Sequence, residues 1–402
     1  MRPPERWPLH PAPAATESLS SWLRRTASSY GMYSHQLLEH ALGHRELSDA
    51  ELDLDPPRHL LDELAIRTGL DQHRVQAMTM AGWVPWLFDS LTPAPDTYET
   101  YVHQLSVLLP PARRQIYTPR KWQPWLAEIR VLRGCRECLE SGPTILLFWQ
   151  LPLMASCPAH RRRLETYEGH PADYIKWETP ADDQRELPES LIALDRRTWQ
   201  AITTGSVDLP RRSVHAGVWF RLLRTLLDEL STPQGRYGRQ LEDVRRVWDH
   251  CGHPFRADLH SWQPFETLHW ARQQQLLEAA AAAMEMIEDR SLIVRGTSAH
   301  LLHPEPKAPI TDGTPPRSLT GADVQKQPTL DELWNQVTTI LDTCIAAAKT
   351  DPVIAKHLFD FARYGCRSEE SARGLRGTFA ELQIPLDFLS QTKEMDPLPD
   401  VE

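Results

Sequence analysis

From Leu19 onward, apolar positions return every three or four residues, which is the period of one helix face. Leu19, Trp22, Leu23, Thr26 and Tyr30 predict a helix that Gly31 ends, and Leu37, Leu38, Ala41 and Leu42 predict a second, short one. After an acidic, Pro-terminated loop over 48–57, the set Leu60, Leu61, Leu64 and Ala65 leads to Gly69-Leu70-Asp71, then Val75 and Met78. An apolar face, Gly at a tight turn, Asp as N-cap and an inward Val read together as a helix-turn-helix. Farther on, Val218, Leu222, Leu226 and Leu230 mark a helix from Val214, and another follows from Leu241 through Val244 and Val247-Trp248. Pro264 reads as the start of a long third helix with Leu277, Ala280, Met284 and Ile287 in step, its Ala279–Ala283 run suited to close packing. Residues 165–210 read as polar and irregular, and the short apolar run Ile145-Leu-Leu-Phe-Trp149 as a strand. The expected fold class is mainly α: N-terminal helix-turn-helix-like hairpins, a small module with short strands, then further helical modules.

Proline sets the expected boundaries. Pro3, Pro4, Pro8, Pro11 and Pro13 make 1–15 an extended, disordered leader, with order expected from Glu17. A helix-turn-helix-like domain over 16–90 follows. Residues 83–126 interleave Trp83, Trp86, Trp122 and Trp125 with prolines, a connector expected to pack its aromatics into cores, and 91–165 is taken as connector plus metal module. A helical domain is expected over 166–302. Residues 303–328, with Pro304, Pro306, Pro309, Pro315, Pro316 and Pro328, read as a linker. Thr329-x-x-Glu332 is a capping box, and Leu330, Leu333, Val337, Ile340 and Cys344 continue its helix into a C-terminal helical module over 329–402.

Charge changes the picture in one region. The 402-residue chain carries 44 basic and 54 acidic side chains, a net charge of -10, which argues against a general nucleic-acid coat. Residues 16–90 hold six basic against eleven acidic side chains, whereas 111–170 hold ten basic against five acidic. No run of about 20 apolar residues predicts a membrane span, and the N-terminus lacks the apolar stretch of a signal peptide. Six cysteines without a disulfide framework indicate a reducing compartment, so a cytoplasmic location is expected.

The basic region surrounds the clearest chemistry. Cys135-Arg-Glu-Cys138 is followed, after eighteen residues, by Cys157-Pro-Ala-His160. Two chelating turns with four soft or borderline donors are what a closed tetrahedral zinc site requires, and a closed site leaves no position for water or substrate. Cys135, Cys138, Cys157 and His160 are therefore read as ligands of a structural Zn2+, making the module a zinc finger. Arg130, Arg133, Arg136, Arg161, Arg162 and Arg163 are candidate phosphate contacts. Gln72, Arg74 and Gln76, with His73 and Thr79, could reach base edges if the helix-turn-helix reads DNA. Cys251 and His253, with His250 and His260 nearby, lack the second cysteine pair a further metal site needs. Neither a Gly-x-Ser-x-Gly elbow nor a Walker loop is present, and no acidic set stands out as a two-metal nuclease site, so no enzyme activity is expected.

Glu17-Ser-Leu-Ser-Ser-Trp22-Leu-x-Arg-x-Ala27 resembles the opening of the TniQ family. Phe148-Trp149-Gln-Leu151-Pro-Leu-x-x-x-Cys157-Pro-x-His160, preceded by Cys135-x-x-Cys138-Leu139, is similar as well. The resemblance covers about 16–165 and extends only loosely to the later helices. It implies a non-catalytic accessory protein of transposition, linking a target-recognition element (a DNA sequence or an RNA-guided complex) to an AAA+ ATPase that recruits the transposase. Many relatives follow Cys-Pro-x-His with a further Cys-x-x-Cys pair; here Arg161 to His170 contain no cysteine. The expected partners are the ATPase and target DNA, direct or through a guide complex, with monomer and homodimer both open. The alternatives are a sequence-specific helix-turn-helix regulator and, more remotely, a zinc hydrolase.

Overall fold

Ser18 is extended, and its Oγ accepts the backbone N–H of Ser21, so α1 (Leu19–Ser29) begins at a capped end and buries Leu19, Trp22, Leu23, Thr26 and Ala27. α2 (Ser34–Leu42) stops at Gly43, whose φ of 70° few side chains tolerate. The acidic stretch read as a loop instead holds α3 (Asp49–Leu54), started by a Ser48–Glu51 capping box. α4 (Arg58–Thr68) ends at Gly69, and Asp71 caps α5 (Gln72–Gln76). The helix-turn-helix outline is present, but its second helix has five residues, a rise of about 7 Å.

The computed structural model describes residues 6–43, 47–110, 118–119, 121–127, 131–142, 144–170, 174–178, 186–304, 345–364 and 369–386. It divides into two compact units, 1–308 and 309–402. As expected, it is mainly helical with short strands, and no described helix is long and apolar enough to cross a membrane.

Within the first unit the faces of α1 to α5 close on one core containing Trp22, Leu23, Leu60, Leu64 and Val75. Trp7 joins it, although order was expected only from Glu17: its ring is buried and its N–H donates to Arg67 O at 2.8 Å. A larger core takes in Trp83, Trp122 and Trp125, as the connector reading expects, while Trp86 stays 43 % exposed. That core is built on α7 (Glu189–Thr204), α8 (Ala216–Ser231), the four-residue α9 (Gln234–Tyr237), α10 (Leu241–His250) and α11 (Trp270–Glu288). In α8 the inward face is Trp219, Phe220, Leu222, Leu223, Leu226, Leu227 and Leu230; Val218, taken as part of the stripe, faces outward. Pro264 does not start the long helix: it leads a short 3-10 turn, Phe265–Thr267, and α11 restarts at Trp270. The turn places Glu266 where Arg224 meets it through Nε (2.8 Å) and Nη2 (3.0 Å), with Trp122 Nε1 (2.8 Å) and Trp125 N (2.9 Å) also donating. The described residues of 165–210 are largely regular. They form β2 (Glu165–His170), β3 (Tyr174–Trp177), α7 and β4 (Ser206–Asp208). β1 (Arg133–Gly134), β2 and β3 make an antiparallel sheet in that order, and β4 pairs with β5 (Ser213–His215) as a hairpin.

The two cores of this unit are joined by hydrogen bonds. The run read as a strand contributes only a bridge, Glu17 to Leu146, before turning into a 3-10 helix over Leu147–Gln150. Ser18 N donates to Ile145 O (2.9 Å), Leu147 N to Thr16 O (2.8 Å) and Ile145 N to Ser21 Oγ (3.0 Å). Asp53 on α3, fully inside, accepts from Ser20 N, Ser20 Oγ and Gln150 Nε2, each at 2.8 Å.

In the second unit, α12 (Pro352–Tyr364) and α13 (Glu369–Glu381) pack through Phe359 and Phe379, edge to face at 5.2 Å. Residues 305–344, which hold most of the expected linker, the Thr329–Glu332 capping box and the helix through Cys344, lie outside the described residues.

Asp53→Ala is expected to leave Ser20 N–H and the Gln150 amide buried without their acceptor and to cost about 3 kcal/mol. Urea unfolding of the full chain measures this, with Asp53→Asn, which keeps one acceptor oxygen, losing less.

Candidate metal centre

Each pair of ligands is held by its own elbow. In the first, Arg133 and Gly134 form β1, Cys135 is the N-cap of α6 (Arg136–Ser141), and Leu139 N donates to Cys135 O at 3.0 Å. One helical turn therefore sets the Cys135 and Cys138 thiols on the same side. A Cβ on Gly134 would lie 2.8 Å from Leu139 Cδ1 and 3.1 Å from Tyr167 Cε1, so a larger residue here would have to displace the Leu139 side chain. Arg133 is buried beneath the elbow. Its Nε donates to Trp149 O (3.1 Å), its Nη2 to Gln150 O (2.9 Å), and its guanidinium lies 4.4 Å from the Trp270 ring centre. Burial pushes its pKa down to about 9.

The second elbow is a backbone clasp. Cys157 N donates to Arg162 O (2.7 Å) and Arg161 N to Cys157 O (2.8 Å), with Arg161 at φ 52°, a left-handed conformation unusual for a side-chain-bearing residue. Asp195 of α7 holds the approach: its carboxylate accepts Ser156 N at 2.7 Å, Ser156 Oγ at 2.5 Å and Ala155 N at 3.2 Å. Burial pushes that carboxyl up to about 7 against the hydrogen bonds from Ser156 and Ala155. The chain then enters β2, where Glu165 pairs with Gly134 and Thr166 with Arg133. That ladder brings the two elbows together.

All four donor atoms lie within 4.8 Å of one another. His160 Nδ1 is 3.5 Å from Cys135 Sγ, 3.2 Å from Cys138 Sγ and 3.7 Å from Cys157 Sγ, and the Cys138 and Cys157 sulfurs are 3.6 Å apart. A tetrahedral ion with bonds of about 2.3 Å to sulfur and about 2.0 Å to nitrogen has ligand–ligand edges of roughly 3.5–3.8 Å. The cluster has that size, and four protein donors leave no open position on such an ion. Outside this set, His160 Nε2 faces Glu137 at 3.7 Å, and Arg162 Nε holds the same carboxylate at 2.6 Å. At 3.7 Å that carboxylate lies beyond hydrogen-bond reach of the imidazole. The thiols share their protons unequally. Hydrogen bonding with Cys157 and burial push Cys135 up, and burial with the neighbouring Cys135 takes Cys138 up to about 11. The Cys135 hydrogen bond draws Cys157 down. A cation would replace those protons.

The expected phosphate contacts fare differently. Arg133 is inside the protein and unavailable to a phosphate, and Arg130 lies outside the described residues. Arg136 is engaged bidentately by Glu165, with Nε at 2.9 Å and Nη2 at 2.6 Å, over the Trp177 ring. Arg163 is tied to Glu278 at 2.6 Å, which also takes His253 Nε2 at 2.6 Å. Arg161 and Arg162 are about half exposed but paired with Glu189 (2.5 Å) and Glu137. Of the proposed base readers, Gln72 and Arg74 are exposed and Gln76 half-buried; Gln72 donates to Asp62, and Arg74 donates to Pro13 O at 3.1 Å. Cys251 and His253 are not brought together as ligands. Among the described residues the only group that could hold a metal is Cys135, Cys138, Cys157 and His160.

Two supports escape a reading by motif. Asp195 and Glu278 lie far along the chain on helices α7 and α11, and nothing in their local sequence ties them to the second elbow. Glu17, whose place in the N-terminal motif gives no sign of its role, is a third such residue. It is fully buried, accepting Arg25 Nε (2.8 Å) and Nη2 (2.6 Å), Ser21 Oγ (3.0 Å) and Ala14 N (2.9 Å).

Residues 8–164 match the TniQ family model, a stretch that takes in α1 to α5 and both elbows. No curated protein and no solved structure matches the chain.

If the cluster holds a structural metal, Cys138→Ser is expected to abolish metal binding and to cost more than about 4 kcal/mol of stability, because such a metal supplies folding energy directly. Metal analysis by mass spectrometry paired with thermal melting checks it; an unchanged melt in a metal-free variant would refute the staple. Asp195→Ala, which touches no ligand, is expected to cost about 3 kcal/mol by stranding the Ala155 and Ser156 amides. Its purified form should also release metal to a chelator faster than the parent.

Proposed function

We propose that this chain is a non-catalytic adaptor in DNA transposition, linking target-site recognition to an AAA+ ATPase and through it to the transposase. The observation that carries this reading is the TniQ match over residues 8–164, which contains the closed four-donor cluster. TniQ proteins are transposition-associated target-selection adaptors. A site with every position filled by protein has structural rather than catalytic chemistry, as an adaptor requires.

The resident ion is Zn2+, which suits three thiolates and an imidazole in tetrahedral array. Cys135, Cys138, Cys157 and His160 hold it, and it fixes the two elbows on which β1 and β2 converge. The acidic N-terminal helices are the surface for a protein partner, and the target-site element is met on a basic face elsewhere. The cytoplasm, where transposition machinery meets DNA, is the setting. A sequence-specific helix-turn-helix regulator is the weaker reading. Its recognition helix would be α5, five residues long, with Gln72 and Arg74 already engaged inside the chain.

The full-length chain is expected to retain the AAA+ ATPase encoded beside its transposase in a pull-down with ATP present. Asp55→Lys combined with Glu39→Lys should weaken that retention several-fold, given the acidic character of this end. Failure to retain the ATPase, or strand transfer by the chain alone, would sink the adaptor reading.

A further inference from the structure

Where α3 packs beside the larger core, the first unit leaves a cavity of about 230 Å³. Ala50 and Leu54, one helical turn apart on α3, and Leu126 of the connector line its exposed side. Met80, Gln150 and Leu151, all buried, line the rest.

This lining is apolar apart from one amide. Gln150 is 7 % exposed, and its Nε2 donates to Asp53 Oδ2 at 2.8 Å. That carboxylate fixes which end of the amide is nitrogen, because an oxygen there would be repelled. Oε1, the other end, is shielded from water and has no hydrogen-bond partner. A buried acceptor left unused is costly, and folded proteins keep few of them.

An occupant of this cavity therefore needs apolar bulk and one donor. The volume is below the roughly 300–1,000 Å³ of sites for free small molecules, whereas an apolar cavity of about 150 Å³ holds a benzene ring. An indole is the side chain of that description: large, flat, and carrying an N–H that donates and accepts nothing. We infer that the cavity between α3, Met80 and Gln150 receives a tryptophan side chain of a protein partner, its indole N–H donating to Gln150 Oε1. The inference rests on the proposed meeting of the N-terminal helices with a protein partner and names the place where one anchoring side chain enters.

The probe is a blocked Lys-Trp-Lys tripeptide. Its lysines suit Glu51 and Asp55, both exposed at α3, which outnumber the exposed Arg58 at the start of α4. Full-length protein carrying ¹³C at its methionine methyls reports on the cavity through Met80, identified by Met80→Leu. Titration with the tripeptide is expected to shift that resonance. The same peptide methylated at the indole nitrogen, which keeps the bulk and loses the donor, is expected to bind about five-fold or more weakly. Ala50→Trp is expected to abolish the shift by filling the exposed side of the cavity, with melting unchanged because Ala50 is on the surface. No Met80 shift, or one that persists in Ala50→Trp, would overturn the inference, as would equal binding of the methylated peptide. A Met80 shift that grows with protein concentration alone and is lost in Trp86→Ala would assign the cavity to a second copy of this chain and also overturn it. Retention of the ATPase by the unaltered chain reports on the adaptor reading separately from all of these outcomes.

Discussion

Three thiols and an imidazole within 4.8 Å of one another are a costly assembly unless a cation joins them. Deprotonated together, the sulfurs repel; protonated, they forfeit much of their reason to converge. The remaining architecture of residues 133–166 serves to bring these donors in from two separate turns. A helical turn sets one pair, a backbone clasp sets the other, and the β1–β2 ladder aligns them. Arg133 below then ties the first elbow to the 3-10 helix over Leu147–Gln150, and Asp195 behind ties the second to α7. The centre is thus an organising point for the first unit and not an appendage.

A second theme runs through the same unit. Buried carboxylates repeatedly serve as acceptors for backbone N–H groups that helices and sheets leave unpaired. Asp195 takes Ala155 and Ser156, Glu229 takes Val107 and Leu108, Glu266 takes Trp125, and Asp53 takes Ser20. Long stretches of this chain run through the interior without regular structure, and every buried amide there needs a partner. Acids fixed on neighbouring helices and turns supply them. Irregular stretches such as 106–109 and 122–125 can therefore run inside the fold, while Pro85, Pro93 and Pro95 stay at the surface.

This device also explains what could be read in advance. The convergence of Cys135, Cys138, Cys157 and His160, and helices α1, α2 and α4, were legible, because spacing and apolar period report them directly. α7 was not. Its inward face includes Asp195 and Thr198 beside Leu191, Leu194 and Ile202, so a count of apolar positions sees a polar stretch. Ile145–Trp149 is too short a run for periodicity to separate strand from turn. The arginine halo misled for a related reason. Local charge counts include Glu137 and Glu165 but not Glu189 and Glu278, which arrive from distant helices to neutralise Arg161 and Arg163. The exposed Arg161 at φ 52° had no signature beyond its place after His160.

The stitches between Ser18 and Ile145, Thr16 and Leu147, and Asp53 and Gln150 span roughly a hundred residues or more of chain, and such contacts form slowly because their loop must close first. During synthesis, the N-terminal helices leave the ribosome well before the segment that completes their polar edge. Until it arrives, Ser18 N–H, the Thr16 carbonyl, the Ser21 hydroxyl and one oxygen of Asp53 must keep water or temporary partners. The metal centre is finished later still, once α7 has delivered Asp195. The N-terminal helices therefore complete their polar contacts only when the segment carrying the Cys135–His160 cluster has been made.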